Sequence, residues 1–244
     1  MMRADGFGLR QVTTSQHYET SPRFSANGQI VFAGARTDGS QDVMVINMDG
    51  TGFKALTNGD AFAENPSWSP DGAQVEYQRS DGVHFRPWDV WAVNADGANP
   101  HLWLARDSTK CVWVNWTSAN TLLGSGGDCL YAQPSPTSTS LSCFASLYSA
   151  VNACPRLRPG GDLVAFCSMS LADNDRHIYT VQPNGEDMRQ ITVGHGEMPV
   201  WSPIFGSYIA FLRDHQIWVT DLDGNYLKQV PTGGVVPVTL GDWW

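Results

Sequence analysis

Helical periodicity is absent from the whole chain, and so is any run of 18 or more apolar residues. The first absence argues against an α/β architecture, and the second excludes a transmembrane helix, so membrane insertion is not expected. Positive charge is scarce: 15 Lys and Arg against 24 Asp and Glu leave a formal net charge of −9. That balance repels a polyanion at long range, so no nucleic-acid partner is expected. The histidines and cysteines form no His-x-x-x-His or Cys-x-x-Cys pair; a sequence-local metal signature is lacking, and no cofactor is expected. There is no Gly-x-Ser-x-Gly elbow of the hydrolase kind. The start, residues 1–6, lacks the apolar core of a secretory signal.

What is present is repetition. Hydrophobic residues make up 42% of the chain and charged residues only 16%, enough to build a core and unlike a disordered segment. Gly (24), Pro (14) and Trp (10) are abundant. The clearest copy runs from Glu64-Asn-Pro-Ser-Trp68-Ser-Pro-Asp-Gly72 through an alternating stretch at 73–78 to Asp89-Val-Trp-Ala-Val-Asn-Ala-Asp-Gly97. Equivalent aromatic or Leu positions fall at Phe24, Trp68, Trp116, Leu157, Trp201 and Trp243, in steps of 44, 48, 41, 44 and 42 residues. A period near 40–45 residues is the mark of propeller blades. Within each copy apolar and polar residues alternate over four to six positions between turn clusters. Asn27-Gly28, Asp71-Gly72 and Gly160-Gly161 punctuate the first two strands, and Asp49-Gly50, Asp96-Gly97, Asn184-Gly185 and Asp223-Gly224 the last two. The expected fold is all-β: a β-propeller of four-stranded antiparallel blades, in a single domain over 1–244. Five full repeats are expected at about 15–58, 59–106, 107–149, 150–193 and 194–232.

The Pro-Ser-Trp68-Ser-Pro-Asp-Gly72 segment and the 89–97 segment after it closely resemble the PD40 (WD40-like) repeat of TolB-like propellers. The likeness covers nearly the whole chain, although the third copy is degenerate and the fourth has Leu157 in place of the aromatic. Only the propeller part is matched, so the Tol-system role is not carried over. Repeats of this type serve unrelated activities, and propellers that accompany serine peptidases need a catalytic domain for which 244 residues leave no room.

The ends resemble parts of a blade. Residues 2–6 match the end of a third strand, 9–13 a fourth, and 240–244 a first strand. An incomplete sixth blade made of 1–14 with 233–244 is therefore expected. Its short form reflects a truncated start, a short closing blade, or strands supplied by a partner.

Several residues could carry chemistry. His17 with Glu19, and His195 with Glu197, are expected at equivalent places just before a first strand, on the rim facing the central channel, and Glu64 shares that place. Propeller lyases with similar repeats build a metal site from rim histidines, which makes a carbohydrate-active, lyase-like enzyme with His17 and His195 at the channel mouth the alternative function. The bland alternative is that the carboxylates cap local amides and the histidines are solvated. Trp68, Trp116 and Trp201 belong to the repeat frame, whereas Trp88, Trp103, Trp113 and Trp244 lie off it and are candidates for an exposed binding surface. Asn115-Trp-Thr117 is a formal glycosylation triplet inside a strand position.

Cys154 and Cys167 are equidistant from the Gly160-Gly161 turn, and Cys129 and Cys143 from Pro136. Two hairpin disulfides are expected, leaving Cys111 as the free thiol and implying an oxidising compartment; reduced core thiols are the alternative. The leading expectation is a non-catalytic binding or scaffold propeller, periplasmic or extracellular. It would bind a protein partner or associate with itself, with a glycan as a second candidate ligand.

Overall fold

The computed structural model describes residues 1–244 except 3–6, 15–17, 60–61, 81–88, 106–112, 118–119, 127, 136, 139, 147–152, 204, 235–240 and 243–244. Each sequence repeat folds into four strands. The first has β1 (Glu19–Phe24), β2 (Gln29–Ala35), β3 (Gln41–Asn47) and β4 (Lys54–Ala55). The second has β5 (Phe62–Trp68), β6 (Gln74–Ser80), β7 (Asp89–Asn94) and β8 (His101–Leu104). In the third are β9 (Trp113–Trp116), β10 (Leu122–Gly126), β11 (Cys129–Ala132) and β12 (Ser142–Ser146). The fourth contributes β13 (Ala153–Leu157), β14 (Val164–Met169), β15 (Arg176–Val181) and β16 (Arg189–Gln190). The fifth contributes β17 (Glu197–Trp201), β18 (Tyr208–Arg213), β19 (Gln216–Asp221) and β20 (Leu227–Val230). Within every repeat the strands pair antiparallel in sequence order, and one parallel pairing, Gln41 with Phe62, joins the first two repeats into a single sheet.

The core lies between repeats, because a four-stranded sheet has two apolar faces and cannot bury both by itself. Val31, Val43 and Val45 of repeat one pack on Trp68, Val75 and Val93 of repeat two. Ala165, Cys167 and Ile178 of repeat four meet Trp201, Ile209 and Phe211 of repeat five in the same way. The first strands of successive repeats, β1, β5, β9, β13 and β17, lie side by side.

These inner strands share a detail that alternation alone does not predict. Ser21, Asn65, Cys154 and Met198 all have φ between 51° and 53°, and each precedes a proline. The pairing with the second strand slips there by one residue in all four repeats. Proline has no N–H to give to the ladder, and a bulge absorbs the missing bond while bending the strand. Repeat three is the internal control: Val114 replaces the proline, and β9 pairs with β10 without a slip.

Seams between repeats are also tied by polar contacts. The Trp68 indole Nε1 donates to the Arg23 carbonyl at 3.2 Å, and Trp201 Nε1 to the Arg156 carbonyl at 2.8 Å. The Trp116 backbone N–H donates to Ser67 Oγ at 3.4 Å, and the Phe24 N–H, at the equivalent place in repeat one, donates to Asp242 Oδ2 at 2.8 Å. On the outer side, the turn between third and fourth strands backs onto the preceding repeat. A Cβ built on Gly185 would lie 2.0 Å from the Phe144 carbonyl oxygen, and one on Gly224 would lie 2.5 Å from that of Ile191. Gly50 stands in the same relation to Val12, at 3.2 Å.

This geometry separates two glycines that share a left-handed backbone. Gly161 (φ 82°) has open space around its Cβ position, whereas Gly185 (φ 87°) has a backbone carbonyl in it. Gly161→Ala is expected to cost about 1 kcal/mol from backbone strain alone. Gly185→Ala should cost roughly 3 kcal/mol or more, because two repeats must move apart. Urea denaturation of both variants checks this; equal losses would show that the close approach does not hold the seam.

Candidate functional site

Among the described residues, a group of bonded charged side chains lies where repeats four and five meet, at the start of the inner strand β17. Asp173 and Asp175 come from the β14–β15 connection, Arg176 and His177 from the first residues of β15, and His195 from the β16–β17 connection. Glu197 opens β17 directly before the left-handed Met198.

His195 sits between two carboxylates, with Nδ1 2.8 Å from Asp175 Oδ1 and Nε2 3.7 Å from Glu197 Oε1. Arg176 Nη1 lies 3.3 Å from the other Glu197 oxygen. Beside them, the buried His177 places Nε2 2.8 Å from Asp173 Oδ2 and Nδ1 3.0 Å from the Gly194 carbonyl. Arg213 reaches over from β18 and donates to the carbonyls of His195 (2.6 Å) and Val193 (3.0 Å). The 193–197 segment is thus held from both sides by β15 and β18. Two apolar side chains on the connections that carry these groups face solvent, Leu171 between β14 and β15 at 76% exposure and Val193 between β16 and β17 at 89%.

The electrostatics follow the contacts. Burial pulls the His195 imidazole down, but the hydrogen bond to Asp175 and the nearby charges of Glu197 and Asp175 together outweigh it, so its pKa lies above the ordinary imidazole value. The hydrogen bond from His195 holds the Asp175 carboxyl below the usual carboxylate range, and one from Ser170 does the same for Asp173.

The other carboxylates expected at equivalent places are less alike than the sequence suggests. Glu64 pairs with Gln78 and Glu197 with Leu212, at matching positions before the bulge. Glu19 lies one residue earlier: it pairs with Gly34, and Thr20 takes the matching place. The Thr13 hydroxyl donates to the Glu19 carboxylate. His17 lies outside the described residues. Among the described residues, no group of three or more His, Cys, Asp or Glu is arranged to hold a metal ion.

Of the off-frame tryptophans, Trp103 is half-buried rather than an exposed platform, because its ring packs edge-on against Trp116 with centroids 4.7 Å apart. Trp88 and Trp244 lie outside the described residues, as does the Trp113 side chain. Asn115 is buried and its amide donates to the Pro155 carbonyl at 3.1 Å, so the glycosylation triplet is used as a seam contact.

Cys129 and Cys143 form the expected disulfide between β11 and β12. Cys111 lies outside the described residues. Cys154 and Cys167 are not bonded to each other: both are buried thiols. The expectation of a directly opposed pair needs correction, because the bulge at Cys154 shifts the register and sets Ala153 opposite Cys167.

No protein-family model matches the chain. Over 61 residues, 25% of the chain, it is 39% identical to the Tol-Pal system protein TolB of Rhizorhabdus wittichii, a match covering 13% of that protein's length. In three dimensions it superposes on TolB from Acinetobacter baumannii with a TM-score of 0.72 at 15% identity, over 89% of this chain and 55% of that one. A TolB structure from Agrobacterium tumefaciens gives 0.71 at 18% identity, over 88% of this chain and 81% of that one. This is a β-propeller of the TolB-like fold. A gluconolactonase of Xanthomonas campestris also superposes, with a TM-score of 0.67 at 15% identity over 93% of this chain and 78% of that one. The TolB-like fold by itself therefore sets no activity, and the function must be argued from the rim.

His195 gives that argument a direct check. Its raised pKa means that the contacts with Asp175 and Glu197 stabilise the charged ring below the unfolded value and fade as pH rises through the folded one. An NMR titration should place the His195 midpoint above about 6.5 and show it falling in Asp175→Asn. A midpoint unmoved by that substitution would contradict the pairing.

Proposed function

We propose that this chain is a non-catalytic binding propeller of the bacterial envelope or extracellular space, whose rim at repeats four and five docks a basic polypeptide segment carrying an apolar residue. The observation that carries this reading is that two exposed apolar side chains, Val193 and Leu171, lie on the two connections that flank the bonded carboxylates Asp173, Asp175 and Glu197. Asp173, Asp175 and Glu197 are all partly open to solvent, and the net charge of the chain is −9. Apolar anchors on a pre-ordered surface lose little entropy on binding, and the surrounding charge steers a partner of opposite sign. The Cys129–Cys143 disulfide supports an oxidising compartment, as does the likeness to TolB proteins.

The closing of the ring belongs to the same proposal. Asp242 meets Phe24 as Ser67 meets Trp116, and Val12 backs Gly50 as Phe144 backs Gly185. These matched contacts support a sixth, incomplete blade built from 1–14 and 233–244. Self-association through that blade is a scaffold form of the same reading, and its signature is particle size that grows with concentration in light scattering.

The lyase-like alternative rests on His17 and His195. Both ring nitrogens of His195 are turned to carboxylates, which favours a structural node on a docking rim over a free acid–base group.

The probe for docking is a set of lysine-rich peptides, each bearing one Leu or Phe, with glutamate-rich peptides of the same length as controls. Calorimetry should show binding of the basic set only, weakened about tenfold or more by Val193→Asp and weakened by added salt. Equal binding of the acidic set, or no effect of Val193→Asp, would overturn the proposal.

A further inference from the structure

Cys154 and Cys167 are brought together by the inner-strand bulge, and repeat two shows how. A left-handed bulge residue can reach the second strand across the slipped register. In repeat two this is Asn65, whose Nδ2 donates to Gln78 Oε1 at 2.6 Å. In repeat four the residues at those two places are Cys154 and Cys167, and the thiol of Cys154 hydrogen-bonds the sulfur of Cys167. The pair lies in the apolar seam against Trp201, Ile209 and Phe211, 6% and 1% exposed.

The two thiols are not equivalent. Cys167 accepts the hydrogen bond from Cys154 and a second from the Met198 backbone N–H across the seam, and Arg176 adds positive charge nearby; these outweigh burial and hold its thiol below the ordinary value. The hydrogen bond given to Cys167, together with burial, pushes the Cys154 thiol well up. The two sulfurs lie together in the seam in unlike surroundings, a placement that lets one bond join them on oxidation.

We propose that Cys154 and Cys167 are a reversible dithiol–disulfide pair that locks β13 to β14 beneath the rim. The oxidant is a small-molecule or protein disulfide. Cys167 gives its proton to water and attacks one of the oxidant's sulfurs, expelling the other as a thiolate. Cys154 then gives up its proton, attacks the mixed disulfide at the Cys167 sulfur and expels the second thiolate; the two expelled thiolates take up the two protons. Two S–H bonds and one S–S bond are consumed, and one S–S bond and two S–H bonds are formed. Because both sulfurs are buried, exchange passes through local opening of the bulged strand. The lock does not depend on what binds the rim.

The test uses the whole chain under native conditions, equilibrated with oxidised glutathione, then denatured, alkylated and mapped by mass spectrometry. The number of alkylatable cysteines should fall by two, with residues 154 and 167 in one linked peptide, and reduced glutathione should restore both. The melting temperature should rise by roughly 5–10 °C on oxidation, with no rise in Cys154→Ser or in Cys154→Ala/Cys167→Ala. Alkylation of both residues after equilibration, separate glutathione adducts on each, or a link from either to Cys111 would overturn the proposal. The mapping is done on the natural chain, so it stands even where a variant folds poorly.

Discussion

The inner strands of this molecule lie against one another, and the satisfaction of their backbone polar groups across those seams is the constraint on which the rest depends. An unpaired carbonyl in a dry seam costs on the order of 1–3 kcal/mol. The indoles of Trp68 and Trp201 meet that need by donating to the carbonyls of Arg23 and Arg156. The same ring fills the apolar gap between two sheets, so one residue provides both packing and polar satisfaction. Trp68 and Trp201 each reach back to the same point of the repeat before, which ties the position of the ring to the repeat spacing at those two seams. The seam between repeats two and three departs from the pattern. Trp116 Nε1 is buried without a hydrogen-bond partner among the described residues, and burial pushes the Glu76 carboxyl well above the usual carboxylate range. It is also the seam entered by the only one of the five inner strands that lacks the proline and the bulge.

The repeat frame, the four strands per repeat and their turns were legible in the sequence because each leaves a periodic signal: alternation for strands, glycine for left-handed turns, tryptophan for seams. The Cys129–Cys143 bond was legible as well, since both residues flank one hairpin. The bulge was not read. Proline at 22, 66, 155 and 199 marks it, but those prolines look like part of the turn vocabulary until the slipped pairing is seen. That single residue of slip is why Cys154 does not directly oppose Cys167. Glu19 misses the place of Glu64 and Glu197 for a reason the sequence does show: it stands three residues before its proline, where they stand two before theirs. The rim cluster was half legible. His195 and Glu197 are neighbours in sequence, whereas Asp173 and Asp175 come from the β14–β15 connection, Arg176 from β15 and Arg213 from β18, and they converge only through sheet register. Trp103 was misplaced because leaving the repeat frame does not expose a ring that has another ring to pack on.

The charged cluster of repeats four and five is carried largely on connections, above a four-stranded scaffold that recurs along the chain, the usual division of labour when one fold serves many roles. Here the loops at repeats four and five, with the first residue of β17, carry three carboxylates beside Arg176 and Arg213, expose Val193 and Leu171, and are held by Arg213 and His177. A surface already held in one conformation suits recognition better than it suits a chemical step that needs a free, positioned base.

Hydrogen exchange with a bound lysine-rich, leucine-bearing peptide tests this account most directly, because it locates the occupied surface without altering it. The account predicts slowed exchange confined to about 170–176 and 192–198, with the turns at 49–50, 96–97, 184–185 and 223–224 unchanged. Protection at those turns, or none at the rim while peptide is bound, would contradict it.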